Sequence, residues 1–156
     1  MSKRIGSGAA LLAGALAVTG LVFAPSAAAV TPTTATITAS CGIFGGGAAT
    51  LTATQSGTSA TITLTSSITT PLALGANSIN STLTMANSTG SARVFSGSVN
   101  PAMAAGATIT VGPLPGTVAS GDKLDFNGGS LKMVIFGVTV TCTTSTAQAP
   151  GPFVFD

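Results

Sequence analysis

The chain has no histidine, tyrosine, tryptophan or glutamate among its 156 residues, and only 5% of them are charged. Without histidine it lacks the commonest general base of enzymes. Its carboxyl side chains are Asp122, Asp125 and Asp156, and the first two have opposite parity in a probable strand, so they face opposite sides. No G-x-S-x-G nucleophile motif is present. These absences predict a protein that is not an enzyme.

The charged residues and the possible metal ligands in the sequence argue against nucleic-acid-binding proteins and metalloproteins. After residue 29, Arg93, Lys123 and Lys132 balance the three aspartates. There is no basic patch and little aromatic surface on which bases could stack, so we expect no nucleic-acid partner. Two cysteines without histidine cannot supply the four ligands of a structural zinc. Asp122 and Asp125 with Lys123 indicate a solvated turn rather than a calcium site, which needs six or more oxygens. We expect no cofactor and no metal.

The first 29 residues have the layout of a secretory signal peptide. Lys3 and Arg4 form a charged beginning, an apolar run follows over residues 9–23, and a small-residue triplet ends at Ala29. The apolar run is short and glycine-rich for a membrane span of about 20 residues. We therefore predict cleavage between Ala29 and Val30, a mature single domain of residues 30–156 without a membrane span, and secretion to the extracellular space or cell wall.

The only two cysteines, Cys41 and Cys142, each end an alternation of apolar and small polar residues. Same-parity residues of a strand point to one face, so both thiols are predicted to face inward with the apolar side chains. In an oxidising compartment such a pair predicts a disulfide. Closing a loop of about 100 residues restricts the unfolded chain by about 4.7 kcal/mol in the chain-entropy model.

Alternation of apolar residues with threonine predicts β-strands throughout the chain. The clearest signal is a hairpin of residues 49–54 and 60–65, joined by a connector that contains glycine and serine. Further strands are predicted at residues 35–40, 79–85, 92–96, 107–111 and 123–126. About eight short strands between frequent turn signals favour an antiparallel β-sandwich in which the disulfide joins the two sheets.

Three glycine-bearing stretches set the expected ends of the later strands. Residues 112–116, which include two prolines, are predicted to stop the strand before them. Asn127-Gly128-Gly129 predicts a hairpin turn. The run 131–143 is predicted to be one central strand, with a bulge at Gly137 where its pattern changes phase.

Two motifs carry a family resemblance. Ser40-Cys41-Gly42 places a cysteine before a glycine-bearing turn, and residues 137–143 end a late strand in valine-threonine-cysteine. This layout resembles the small exported immunoglobulin-like domains of unknown function found in actinobacteria. The resemblance implies an immunoglobulin-like antiparallel β-sandwich with one inter-sheet disulfide, and it brings no site residues.

These features predict a secreted, non-catalytic extracellular or cell-wall-associated binding or structural module of unknown ligand. Contacts could come from apolar loops such as Ile43-Phe44 or from the terminal residues 153–155, which would otherwise form an edge strand in the core. The alternative is recognition of an ordered surface, such as a polysaccharide or ice, by a face of threonines. Threonine is also simply a polar residue that suits strands, and no fixed repeat supports a regular array. An unrecognised hydrolase is the third alternative. The threonines in question are Thr50, Thr52, Thr61, Thr63, Thr108 and Thr110.

Overall fold

The computed structural model describes residues 29–156, and its elements there are β-strands and one short 3-10 turn. Residues 1–28 of the predicted signal peptide lie outside the described residues. The signal peptide and its cleavage between Ala29 and Val30 therefore stay predictions. No helix among the described residues is long and apolar enough to cross a membrane. The strands are β1 Thr34–Ser40, β2 Gly46–Ser56, β3 Ser59–Thr69, β4 Asn80–Asn87, β5 Arg93–Gly97, β6 Thr108–Thr117, β7 Lys123–Ile135, β8 Val138–Cys142 and β9 Phe153–Val154, and the 3-10 turn is Gly42–Phe44.

All pairings between the strands are antiparallel, and they connect into one sheet of order β1-β2-β3-β6-β5-β4-β7-β8, with β9 paired to β7. The sheet curls back on itself. The segment after β8 returns to the outer edge of β1 through the bridges Ser40–Thr143 and Thr36–Ala149. The right-handed twist of strands supplies the curvature that brings the two ends together.

The strands form because one side chain in two can be buried. In β2, Ala49, Leu51 and Ala53 are buried, and the threonines between them are exposed. The same alternation in the other strands builds one apolar core inside the curled sheet. Its largest members are four phenylalanines with no exposed surface, namely Phe95, Phe126, Phe153 and Phe155. The terminal phenylalanines therefore belong to the core rather than to an exposed loop.

The predicted disulfide is confirmed. Cys41 directly follows β1 and Cys142 ends β8, with their Cα atoms 4.0 Å apart. Next to them, Ser40 and Thr143 exchange two backbone hydrogen bonds of 2.8 and 2.9 Å. The covalent bond therefore closes the sheet at a point where the backbones already pair.

The all-β antiparallel class and the β2–β3 hairpin are also confirmed; the hairpin turns at Gly57-Thr58 between the paired Ser56 and Ser59. The strands form one connected sheet, so the two-sheet sandwich is not seen as such. Within the described residues, β5 and β6 pair only at Phe95 and Gly116. This leaves a narrow seam between a part of four strands, β1-β2-β3-β6, and a part of five, β5-β4-β7-β8 with β9.

Residues 112–116 do not stop the strand before them, because β6 runs on to Thr117. At Pro113 the register with β3 shifts, and Pro115 pairs with Thr61. Proline is tolerated in a strand at bulges, and also at positions where no neighbouring strand would accept a hydrogen bond from the N–H group that proline lacks. Along most of this stretch β6 has a partner only on its β3 side, which meets that condition.

Two other turn predictions are wrong. Asn127-Gly128-Gly129 lies inside β7 and forms a bulge, since β4 pairs with Ser130 on one side of it and with Asp125 on the other. The run 131–143 is two strands rather than one, because the chain reverses at Phe136-Gly137, where both residues have positive φ. The periodicity of the apolar residues did not distinguish a bulge within a strand from a reversal of the chain.

Gly116 is predicted to control the stability of the seam. A Cβ atom at this position would meet the Cδ1 atom of Phe95 and lie 2.8 Å from both its Cε1 atom and the carbonyl oxygen of Val94. Because Phe95 is fully buried, Gly116→Ala should lower the free energy of unfolding by about 1–3 kcal/mol. Urea unfolding measures this change. Gly75→Ala is the matched control, since no atom lies within 4 Å of its added Cβ; equal stability of the two variants would contradict the prediction.

Candidate functional site

An apolar cleft of about 260 Å³ opens at one end of the molecule. Three connections meet there: the 3-10 turn after β1, the segment that follows β3, and the β7–β8 turn. We define the apolar cleft by six of its lining residues, Phe44, Leu72, Ile109, Met133, Phe136 and Val138. None of the charged side chains within residues 29–156 lines it.

Large apolar side chains are exposed mainly around this cleft. Of the six large hydrophobic residues that are exposed among residues 29–156, four line it, and Ile43 adjoins the lining residue Phe44. Val94 on β5 is the exception. Single exposed apolar residues are ordinary on protein surfaces, whereas a contiguous patch marks an interaction site. The prediction that Ile43 and Phe44 are exposed is confirmed, but the sequence did not indicate Leu72 or Phe136.

Phe136 is exposed and conformationally strained. It forms a two-residue turn with Gly137, with φ of 50° and 77°, between the paired Ile135 and Val138. Such type I′ turns favour asparagine followed by glycine, and a bulky residue at positive φ costs about 1 kcal/mol or more. Burial does not offset this cost, because 67% of Phe136 is exposed. The fold itself therefore gains little from burial of a phenylalanine at this position.

Buried polar groups in the cleft wall already have partners. The N–H of Thr70 donates to the carbonyl of Ala107 at 2.9 Å, and its Oγ1 donates to the carbonyl of Leu72 at 2.6 Å. Leu74 and Met103 exchange two backbone hydrogen bonds of 2.8 and 2.9 Å. This part of the wall therefore offers apolar surface and few free hydrogen-bonding groups, which suits an uncharged apolar group.

The threonines of the first half of the sheet come together on its outer face. The strand registers place threonines side by side across β1, β2, β3 and β6, and these four strands contain no charged residue. Neighbours in such a row are about 4.8 Å apart, and successive rows along a strand are about 6.8 Å apart. One row is Thr36, Thr50, Thr65 and Thr110, and the next is Thr34, Thr52 and Thr63. We call these two rows the threonine face.

Asp122 belongs to a structural network, so the predicted solvated turn is wrong for this residue. Only 5% of Asp122 is exposed. Its carboxylate accepts hydrogen bonds from Arg93 Nε at 2.6 Å, from Asn87 Nδ2 at 2.8 Å and from the N–H of Ala119 at 2.8 Å. The network ties the β4–β5 connection to the β6–β7 connection. Asp125 binds different partners: it accepts from the N–H of Asn127 at 2.8 Å and from that of Gln148 at 3.2 Å.

This network makes stability depend on pH. Burial raises the pKa of Asp122, but the hydrogen bonds from Arg93, Ala119 and Asn87, with the charge of Arg93, outweigh it and lower the pKa below the ordinary 3.8. A carboxyl group whose pKa is lower in the folded state stabilises the fold at pH values above its ordinary pKa. This stabilisation is lost as the pH falls through the folded-state pKa.

Asp122→Asn should lower the free energy of unfolding by about 1–2 kcal/mol at pH 7, a modest loss because solvent screens the charge of Arg93. The loss should be smaller below pH 3.8.

Urea unfolding of wild type and Asp122→Asn between pH 7 and pH 2 measures the difference between their free energies of unfolding. Asp156→Asn is the control, because no side-chain hydrogen bond of Asp156 is described and only its backbone binds Gln55. A difference between wild type and Asp122→Asn that stays constant with pH would contradict the role of the charged carboxylate.

The comparisons with known proteins give no relative from which a role could be carried over. No family model matches the chain, no curated protein matches it, and no solved structure matches it.

Proposed function

We propose that the protein is a secreted, non-catalytic binding module, extracellular or cell-wall-associated, that holds an uncharged apolar group in the apolar cleft. The observation that carries the proposal is Phe136. An exposed phenylalanine occupies a turn position that favours asparagine, beside a cleft without charge. A volume of about 260 Å³ is near the lower end of small-molecule sites, about 300–1,000 Å³.

Secretion and fold family form part of the proposal. The signal-peptide pattern of residues 1–29 and the Cys41–Cys142 disulfide support export, because disulfides persist in oxidising compartments. A four-stranded and a five-stranded part of the sheet that meet at Phe95 and Gly116 support an immunoglobulin-like sandwich. The cysteine motifs support kinship with the exported actinobacterial domains. The residue inventory supports a module that needs no cofactor, no nucleic acid and no membrane span after signal removal.

Phe136→Asn tests the proposed site, because it should separate stability from binding. Asparagine suits the positive φ, so the variant should be more stable than wild type by about 1 kcal/mol. The probe is N-phenyl-1-naphthylamine, an uncharged dye whose fluorescence rises in apolar surroundings. Loss of the aromatic ring should lower dye affinity about tenfold, as expected for one large apolar contact.

Val94→Asn is the matched control, since Val94 is exposed but lies away from the cleft. It should leave dye affinity unchanged. The proposal fails if wild type does not bind the dye, or if Val94→Asn weakens binding as much as Phe136→Asn does.

A second candidate function is recognition of an ordered polysaccharide surface by the threonine face. The row of threonines across four strands favours it, because it sets hydroxyl and methyl groups at regular spacing without charge. Thr50→Lys should then lower retention on crystalline cellulose or chitin about tenfold, since it places an unpaired charge in the middle of the face. Ser96→Lys, on the exposed side of β5, is the control. Equal retention of both variants would contradict this function.

A further inference from the structure

We infer that the end of the molecule around the apolar cleft docks on an uncharged lipid surface, which deepens the proposed function and rests on it. Three loop tips surround the cleft: the 3-10 turn Gly42–Phe44, residues 70–74 after β3, and the turn Phe136-Gly137. Each tip carries a large apolar side chain in water. Ile43 is 95% exposed, Leu72 is 60% exposed and Phe136 is 67% exposed.

Ile43 favours an extended surface over a small ligand. It adjoins the cleft residue Phe44 but does not line the cleft, so a molecule held inside the cleft would leave Ile43 in water. A surface that reaches all three tips would cover Ile43 together with Leu72 and Phe136. Apolar side chains on loops at one end of a domain are a means of entering the interface of a lipid layer.

The hydrogen bonding of the cleft wall favours hydrocarbon over peptide or sugar. Thr70 and Leu74, which line the cleft, have their buried polar groups paired within the protein. A peptide backbone or a sugar ring pressed against residues 70–74 would lose water and find few partners there, which is unfavourable. Acyl chains have no polar groups to satisfy.

The distribution of charge favours an uncharged or zwitterionic surface over an anionic one. Lys123 begins β7 and Phe136 follows its end, so the two are about 40 Å apart along the strand. Asp122 and Arg93 lie near that far end, where they pair with each other. The nearest cation along the chain is Lys132, in register with Thr82 and Thr141 rather than in the cleft. Docking of this end therefore brings no cluster of basic side chains to the surface.

Co-sedimentation with vesicles tests the inference, using the oxidised protein as secreted from an expression host. Vesicles of phosphatidylcholine alone should bind the protein. Adding phosphatidylglycerol or 1 M NaCl should change the partition coefficient by less than about twofold, because electrostatic attraction is screened by salt and contributes little here. Ile43→Ser and Leu72→Ser should each lower partitioning about tenfold, as expected for the loss of one large apolar contact.

Val94→Ser is the control, since it removes an exposed apolar side chain that does not line the cleft. It should bind vesicles like wild type. All the altered side chains are exposed, and thermal unfolding of each variant verifies that the fold is kept.

Three outcomes would overturn the inference. The first is wild-type binding only to vesicles with phosphatidylglycerol, abolished by salt. The second is a lipid-independent dimer that Ile43→Ser disrupts, which would make a second copy the occupant. The third is no vesicle binding while N-phenyl-1-naphthylamine still binds, and in that case the proposed function stands. If neither vesicles nor dye bind, both proposals fail.

Discussion

The contact between the end of β1 and the end of β8 holds the molecule in its curled form. Two backbone hydrogen bonds between Ser40 and Thr143 set the register, and the adjacent disulfide makes the closure covalent. These residues lie about 100 positions apart in the chain, so bringing them together costs much conformational entropy. The disulfide lowers this cost of folding because it already restricts the unfolded chain. Both cysteines belong to the same core cluster as the buried phenylalanines.

The cleft depends on the same contact. The 3-10 turn that follows Cys41 and strand β8, which ends at Cys142, both contribute to its lining. Cys41 itself lines the cleft. The short turn at Phe136 lies at the other end of β8 and is held by the β7–β8 hairpin. The cleft therefore combines a disulfide-bonded cysteine in its lining with an exposed aromatic residue at positive φ.

Sequence reasoning succeeded where one local pattern determines one structure. The alternation of apolar and polar residues predicted which side chains of β2 and β3 are buried, and the inward-facing positions of Cys41 and Cys142 predicted their disulfide. The structure confirms both predictions. It failed where the outcome depends on a distant partner. Asn127-Gly128-Gly129 suits a turn, yet pairing with β4 on both sides keeps β7 continuous. Phe136 could not be found as a site residue, because phenylalanine is the wrong residue for that turn by local preference. The alignment of threonines across four strands follows from register, which no single segment contains.

The return of the C-terminal segment to β1 bears on aggregation. A nearly neutral chain of threonine, valine and alanine strands has the composition of self-associating β-sheets, which stack through unpaired edges. In this fold the outer edge of β1 receives hydrogen bonds at Thr36 and Ser40 from residues 149 and 143, so this edge is not free to extend into another molecule. The fold covers this edge with its own chain rather than with charged side chains. Opening the β1 edge would expose backbone groups with which another strand could pair.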